Sequence, residues 1–336
     1  MSSRLVSFGE IMLRLSPPGR ELLLQTPKLD VWVAGAECNV VTGLARLGHA
    51  TALISAVPDN DLGRAGVAGL RAQGVDCSAV RIAAGRMGLY FVTSGAGMRA
   101  TDVVYDRAGS AFAAMPPGEW DWDALLKDAD RLHLSGITPA LGHGPGEAAI
   151  AAAEAASARG IPVSFDGNYR ARLWESWDSD PRGVLTRIVR HADILFGNHR
   201  DIALLLGLDF GGDAEDRRRA AADAAFEAFP ALQTIASTAR HVEDADRHRL
   251  SARIDGRSGH AQTQEVAIAG IVDRIGAGDA FAVGVLHALR AGGDLTEAAR
   301  IGLALTCLKH SLPGDASLFA QADIDAFVAG GLDVRR

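Results

Sequence analysis

Short apolar runs alternate with stretches of helical spacing along most of the chain. Residues 5–8 form such a run, end at Gly9-Glu10 and predict a buried first strand. Pro17-Pro18-Gly19 then breaks the chain. Residues 31–33 lead into a segment where Val40, Val41, Leu44 and Leu47 keep helical spacing until Gly48 stops it. Residues 50–57 predict a strand, Pro58-Asp59-Asn60-Asp61 a loop, and 62–73 a helix closed by Gly74. Further strands are predicted at 131–134, 161–165, 194–196 and 232–236. Helices are predicted at 147–159, from Asn198 through Leu206, after Gly278, at 295–308 and at 322–329. Strand and helix taken in turn give an α/β fold, a doubly wound and mainly parallel sheet with helices on both faces.

Two stretches depart from this rhythm. Residues 84–112 hold two short β-type runs, 89–93 and 101–105, around Gly95-Ala96-Gly97. No helix separates them, so they predict a hairpin and hence a small sheet inserted into the larger one. Residues 237–249 are highly charged, and glycine is absent between Ala236 and Ile254. They predict either a solvated hairpin or a loop whose Ser237, Thr238 and Arg240 reach phosphates.

Composition narrows the class. The 336 residues are 48% hydrophobic and 22% charged, ordinary for a globular chain of one large domain or two smaller ones. A net charge of −7, with no basic tract beyond Arg217-Arg218-Arg219, argues against a nucleic-acid partner. Those three arginines read as a solvated helix face. Cys38, Cys77 and Cys307 are far apart and lack metal-ligand spacing, as expected of a reduced, cytoplasmic protein. No apolar run is long enough to predict a membrane span.

The candidate chemistry centres on Asp273-Arg274-Ile275-Gly276-Ala277-Gly278-Asp279-Ala280-Phe281. Two close glycines form a turn into a helix, with Asp279 in its first turn. Helix starts present unpaired N–H groups and a positive dipole end, and glycine lets that backbone approach an anion. Such amides suit developing phosphate charge, while Asp279 suits the removal of a proton from an attacking hydroxyl. The competing reading is an ordinary glycine-rich helix start. Asn39 is either a polar residue near a helix start or a ligand for a substrate hydroxyl. Asp166-Gly167-Asn168-Tyr169-Arg170 follows a predicted strand, at the end where open α/β sheets bind ligands. Tyr90, Tyr105 and Arg107 are the polar candidates of the inserted hairpin, against ordinary strand aromatics. Asp201 reads as a helix first-turn acid, and Asp315 as a turn residue beside Gly314.

The stretch 273–281 resembles the C-terminal signature of the ribokinase-like (pfkB-type) carbohydrate kinases, and 35–48 resembles their N-terminal signature. Leu-His-Leu-Ser-Gly-Ile-Thr-Pro-Ala-Leu at 132–141 and Asp-x-Asn-Tyr-Arg-x-x-Leu-Trp at 166–174 are similar to one branch, the 2-keto-3-deoxygluconate kinases. The resemblance implies one kinase domain over 1–336, with a lid built from about 11–34 and 84–112. It implies transfer of the ATP γ-phosphoryl group, with Mg2+, to the terminal hydroxyl of a small sugar acid. Asp279 would be the base, and Gly276, Ala277 and Gly278 the anion hole. Gly35, Asn39, Tyr90, Tyr105, Arg107, Arg170 and Asp315 would hold the sugar. Asn168, Asn198, Ser237, Thr238 and Arg240 would face the nucleotide, and Asp201 the metal through water. Many relatives wrap the nucleotide with a glycine-containing loop where this chain has none after Ala236. The alternatives are a kinase for a neutral sugar or nucleoside, and a sugar-binding regulator without catalysis. A homo-oligomer is expected.

Overall fold

Every residue of the strand Thr51–Pro58 is buried, as a strand covered by helices on both faces requires. The computed structural model describes residues 4–330; the outermost positions of the 1–336 domain lie outside them. In chain order the strands are β1 (Arg4–Phe8), β2 (Met12–Ser16), β3 (Asp30–Ala34), β4 (Thr51–Pro58), β5 (Val80–Ala83), β6 (Gly88–Thr93) and β7 (Asp102–Asp106). They continue as β8 (Ala129–Ser135), β9 (Val163–Asp166), β10 (Ala192–Phe196), β11 (Thr234–Asp244), β12 (Arg247–Gly256), β13 (Gly259–Gln262) and β14 (Val266–Ala269).

The large sheet has the order β13-β12-β11-β10-β9-β8-β1-β4-β5, with β14 also paired to β12. Neighbours from β11 to β5 are parallel. The β12 strand turns back antiparallel on β11. One face is covered by helices Ala36–Arg46, Ala277–Arg290 and Leu295–Lys309, through Val40, Leu44, Phe281, Val283 and Leu305. The other face packs Ile150, Ile188, Ile202 and Phe226 from helices of the chain's middle third. The predicted α/β architecture is therefore present, and no helix among the described residues is long and apolar enough to cross a membrane.

The insertion predicted at 84–112 is a hairpin, β6 with β7, and it joins β2 and β3 in a separate four-stranded sheet ordered β3-β2-β6-β7. Met12, Ala34, Tyr90 and Val92 form its own small core, against Ile275 of the larger domain. A buried ionic group also ties the two sheets. Arg14 of β2, 1% exposed, pairs with Asp273 at 2.6 Å and Asp315 at 2.9 Å. Burial opposes charge on Arg14, but the two carboxylates outweigh it and raise its pKa.

Several elements differ from the expectations. The strand predicted to end at Ala236 runs on as β11 to Asp244 and forms a long hairpin with β12. Its first three residues are buried and the rest mostly exposed, so the charged residues belong to a two-stranded ribbon leaving the sheet. The helix expected from 147 begins at His143, because Pro145 lies in the first turn where no N–H is needed. Helix Pro181–Val189 was not anticipated, and Ala214–Ala228 only through its three arginines. Arg217, Arg218 and Arg219 do lie on a helix, but not on a purely solvated face. Arg219 donates to the Gly256 carbonyl at 3.2 Å.

Candidate active site

The helix Ala277–Arg290 starts at Gly276, whose φ of 78° is left-handed. A Cβ on Gly276 would collide with the Asp315 carbonyl oxygen, so only glycine lets the turn lie against that backbone. Ala277 N–H makes only a 3.4 Å bond to Arg274 O. Gly278 N–H, one residue on, has no acceptor within the helix. Nothing lies within 4 Å of a Cβ built on Gly278, and the space there is cavity. Asp279 stands in this first turn, and its Oδ2 accepts from Asn39 Nδ2 at 2.6 Å. Burial pushes the Asp279 carboxyl up to about 8. The Asn39 hydrogen bond opposes this, and Asp166, Asp315 and Glu37 add to it. Asp166 is pushed up to about 7, again by burial, with Arg170 pulling the other way. Paired carboxylates with such values are the mark of a proton-transfer site.

These groups line a cavity of about 500 Å³ between the two sheets. It brings together the predicted Gly35, Asn39, Tyr90, Tyr105, Arg107, Asn168, Arg170, Arg240, Gly276, Ala277, Gly278, Asp279 and Asp315. Two smaller cavities of about 240 and 280 Å³ share its walls. Asn198, Ser237 and Thr238 line both, and Asp201 lines the second of them. The residues singled out as site candidates thus line adjoining cavities, those after β9 and β10 at the C-terminal ends of parallel strands and Tyr90, Tyr105 and Arg107 from the small sheet. Asn168 sits there with φ 35°, unusual for a residue other than glycine but tolerated by asparagine.

Three expectations change in detail. Arg107 was expected to hold the sugar, and it follows Asp106 in the chain. Instead it pairs with Glu10, Nε to Oε2 at 2.9 Å, and both side chains are buried. Asp106 pairs with Arg86. Second, Asp315 is not a free turn carboxylate. Its Oδ1 takes Arg14, and its Oδ2 takes the Tyr90 hydroxyl. Third, Asn198 and Asp201 cap their own helix. Asn198 accepts from Arg200 N at 2.8 Å and Asp201 accepts from Asn198 N at 2.8 Å. By contrast Arg170 is exposed, and among the described residues no carboxylate lies within ion-pair distance of it. Its one side-chain bond is a 3.4 Å contact with the Tyr169 carbonyl.

Sequence reasoning missed Glu10, Arg14, Glu37, Asp166 and Arg274 as parts of the site. Glu37 is buried and accepts from Ser135 Oγ at 2.7 Å and Thr138 Oγ1 at 2.8 Å. Arg274 stood inside the quoted glycine turn, where a cation beside an anion hole was a readable signal. Among the described residues no group of three His, Cys, Asp or Glu side chains could hold a metal ion. The donors present (Asp166, Asn168, Asn198 and Asp201) line one small cavity. They fit a magnesium ion held mainly by phosphates and water, not an all-protein cage.

An acceptor hydroxyl placed beside Asp279 would have a base within reach and amide donors on its other side. Several arginines stand near enough to offset an anion, an arrangement suited to phosphoryl transfer. Known proteins similar to this chain are named as sugar and sugar-acid kinases. The sequence pattern of the pfkB family carbohydrate kinases matches residues 2–320. A 2-dehydro-3-deoxygalactonokinase of Haloferax volcanii is 34% identical, covering 98% of each chain. The crystal structure of a 2-dehydro-3-deoxygluconokinase from Thermotoga maritima superposes with a TM-score of 0.91 at 34% identity, over 98% of this chain and all of that one. A fructokinase of Klebsiella pneumoniae is 30% identical over 87% of this chain and 86% of its own length. With the family pattern matched over residues 2–320 and the fold and the glycine turn in agreement, this chain belongs to the pfkB family of carbohydrate kinases.

Proposed function

We propose that this kinase transfers the γ-phosphoryl group of ATP, with Mg2+, to the terminal hydroxyl of a small sugar acid, 2-keto-3-deoxygluconate. The observation that carries the acid specificity is Arg170, an exposed guanidinium on the cavity wall that also holds Asp279, felt by Asp166 but in ion-pair contact with no carboxylate among the described residues. A substrate carboxylate supplies the missing charge, and the planar guanidinium can grip both its oxygens. The roles follow from position. Asp279 takes the hydroxyl proton, Asn39 orients it, and the amides of Gly276, Ala277 and Gly278 receive the phosphoryl charge. Asn198, Ser237, Thr238 and Arg240 lie on the donor side, and Asp201 faces the metal through water. Magnesium supplies neutralisation of the donor's phosphate charge.

Arg170→Ala raises KM for the acid roughly ten- to a hundred-fold, the worth of a hydrogen bond to a charged group. It leaves a neutral analogue such as fructose nearly unchanged, and Arg170→Lys recovers only part. Arg107 is a poorer probe, because Arg107→Ala strands the buried Glu10 carboxylate and destabilises the fold. Steady-state kinetics on the gluconate acid, its galactonate epimer and neutral sugars decides. Equal turnover of fructose and the acid by the wild type, or an equal loss on both in Arg170→Ala, makes the enzyme a neutral-sugar kinase.

The small sheet is proposed to close over the sugar and exclude water. Residues 84–112 then gain amide protection in hydrogen exchange when the acid binds, most of all along β7, the outer strand, where Tyr105 is 45% exposed. The β2 strand, held by Arg14, changes little. Identical protection with and without acceptor would make the sheet fixed structure.

A further inference from the structure

Arg240 and Arg274 carry charge that nothing in the fold answers. Both guanidinium-bearing side chains line the main cavity, Arg240 from the β11 ribbon and Arg274 from the turn before Gly276. Arg240 also lines the neighbouring cavity beside Ser237 and Thr238, so it stands where the two spaces meet, with Arg274 on the main-cavity side. Among the described residues, no carboxylate lies within ion-pair distance of either one. Asp273, the nearest acid in sequence to Arg274, is committed elsewhere: to Arg14, to Ile275 N at 2.9 Å and to Gly314 N at 3.1 Å. Those bonds also fix the backbone that carries Arg274. Behind the pair lie two buried rings, His248 and His310, edge to face at 5.9 Å. His310 is held near 4, by burial first and with Arg240 among the contributing charges, so it stays neutral and adds no further positive charge. Arg240, although exposed, is itself lowered, by partial loss of solvent around its guanidinium and then by Arg274. Two like charges brought together in a fold, with neutral groups behind them, leave a place for a multiply charged anion.

We infer that Arg240 and Arg274 form a clamp on the phosphoryl group in transit, and that Arg274 is a catalytic residue. The inference rests on the phosphoryl-transfer reading of the site. The amides of Gly276 to Gly278 face the transferring group from one side, and the two arginines face it from the other. As the acceptor oxygen bonds to phosphorus, the bond from phosphorus to the donor's bridging oxygen breaks. The hydroxyl proton passes to Asp279, and the bond electrons leave with the nucleoside diphosphate. The arginines form no bond; their N–H donors follow the charge on the three equatorial oxygens. The clamp grips the phosphate of the product but has nothing to grip on the unphosphorylated acceptor.

That asymmetry is the test. In Arg274→Gln, kcat falls about 10²–10³-fold, the usual cost of losing one such donor. Calorimetric affinity for the acceptor stays within a few-fold, while affinity for the phosphorylated product falls at least about tenfold. Arg274→Lys keeps the charge, recovers part of both losses, and serves if the Gln variant fails to fold. Pyrophosphate, titrated into wild type and variant without any acceptor, weakens in the variant by a similar factor. That arm does not depend on which sugar is correct. An inactive wild type with the acid but an intact pyrophosphate difference overturns the substrate assignment and leaves the clamp standing. Equal losses for acceptor and product, or unchanged pyrophosphate binding, assign Arg274 to the acceptor carboxylate or to structure and overturn the clamp.

Discussion

Asp279→Asn binds the acceptor normally and turns over roughly 10²–10⁴-fold more slowly, the range lost with a positioned general base. The amide keeps an oxygen for Asn39 Nδ2 to donate to, so the 2.6 Å contact that orients the side chain survives. What disappears is the lone pair that takes the proton. The variant is also the more stable protein at alkaline pH. The folded-state value of about 8 lies above the ordinary 3.8. Between those values the folded chain therefore holds a proton that the unfolded chain has already released, and it is the ionised fraction of Asp279 that acts as base. That stabilisation is complete below 3.8 and gone once pH passes about 8. The melting temperature of Asp279→Asn should thus exceed that of the wild type at pH 9 by more than at pH 5. Calorimetry of acceptor binding, single-turnover rates and thermal melts at both values read all three effects. A variant with kcat within a few-fold of wild type removes Asp279 from the chemistry.

Gly276→Ala and Gly278→Ala, two residues apart, fail in different ways. At position 276 the new methyl meets the Asp315 carbonyl and the backbone is left-handed. The conformation alone costs about 1–2 kcal/mol. Moving the turn to relieve the clash displaces the amides and Asp279 together, and a 1 Å displacement can cost about 10²-fold in rate. This variant loses both melting temperature and activity. At position 278 a Cβ touches nothing, so the protein folds as before. The methyl instead occupies cavity space that the donor's phosphates need, and kcat/KM falls at least about tenfold with unchanged melting. Measuring melting and kinetics on both variants separates the roles. A fully active Gly278→Ala would mean that phosphate does not approach this turn.

Local pattern was enough for most strands of the parallel sheet, because buried strands read as apolar runs, but it passed over β5, whose four residues are only half-buried or exposed. It was enough for Asp279 and Asn39 too, since each lies in a compact motif. Pairings across the fold were out of reach. Glu10 and Arg107 are 97 residues apart, and Arg14 and Asp315 are 301 apart, so nothing local marks them as partners. The β11 strand was cut short because His241, Glu243 and Asp244 look like a loop. They are the exposed part of a ribbon that needs no apolar face. The helix Pro181–Val189 was legible after all. Asp180 caps Gly183 N at 2.9 Å and Pro181 takes the first position, a recognised helix start.

The ion group of Arg14, Asp273 and Asp315 has a bearing on how such a chain can change over time. Three charges without solvent are tolerable only together, since removing one strands the others at several kcal/mol. They also lie under the small sheet, the glycine turn and the Tyr90 hydroxyl at once. A single replacement at any of the three would be felt as lost folding, a displaced base and a loosened cover in one step. Substitutions here can therefore be accepted only as coordinated sets. The exposed outer end of β11, from His241 to Glu243, bears no such restraint. Variation among descendants of this enzyme should collect there and spare the seam between the two sheets.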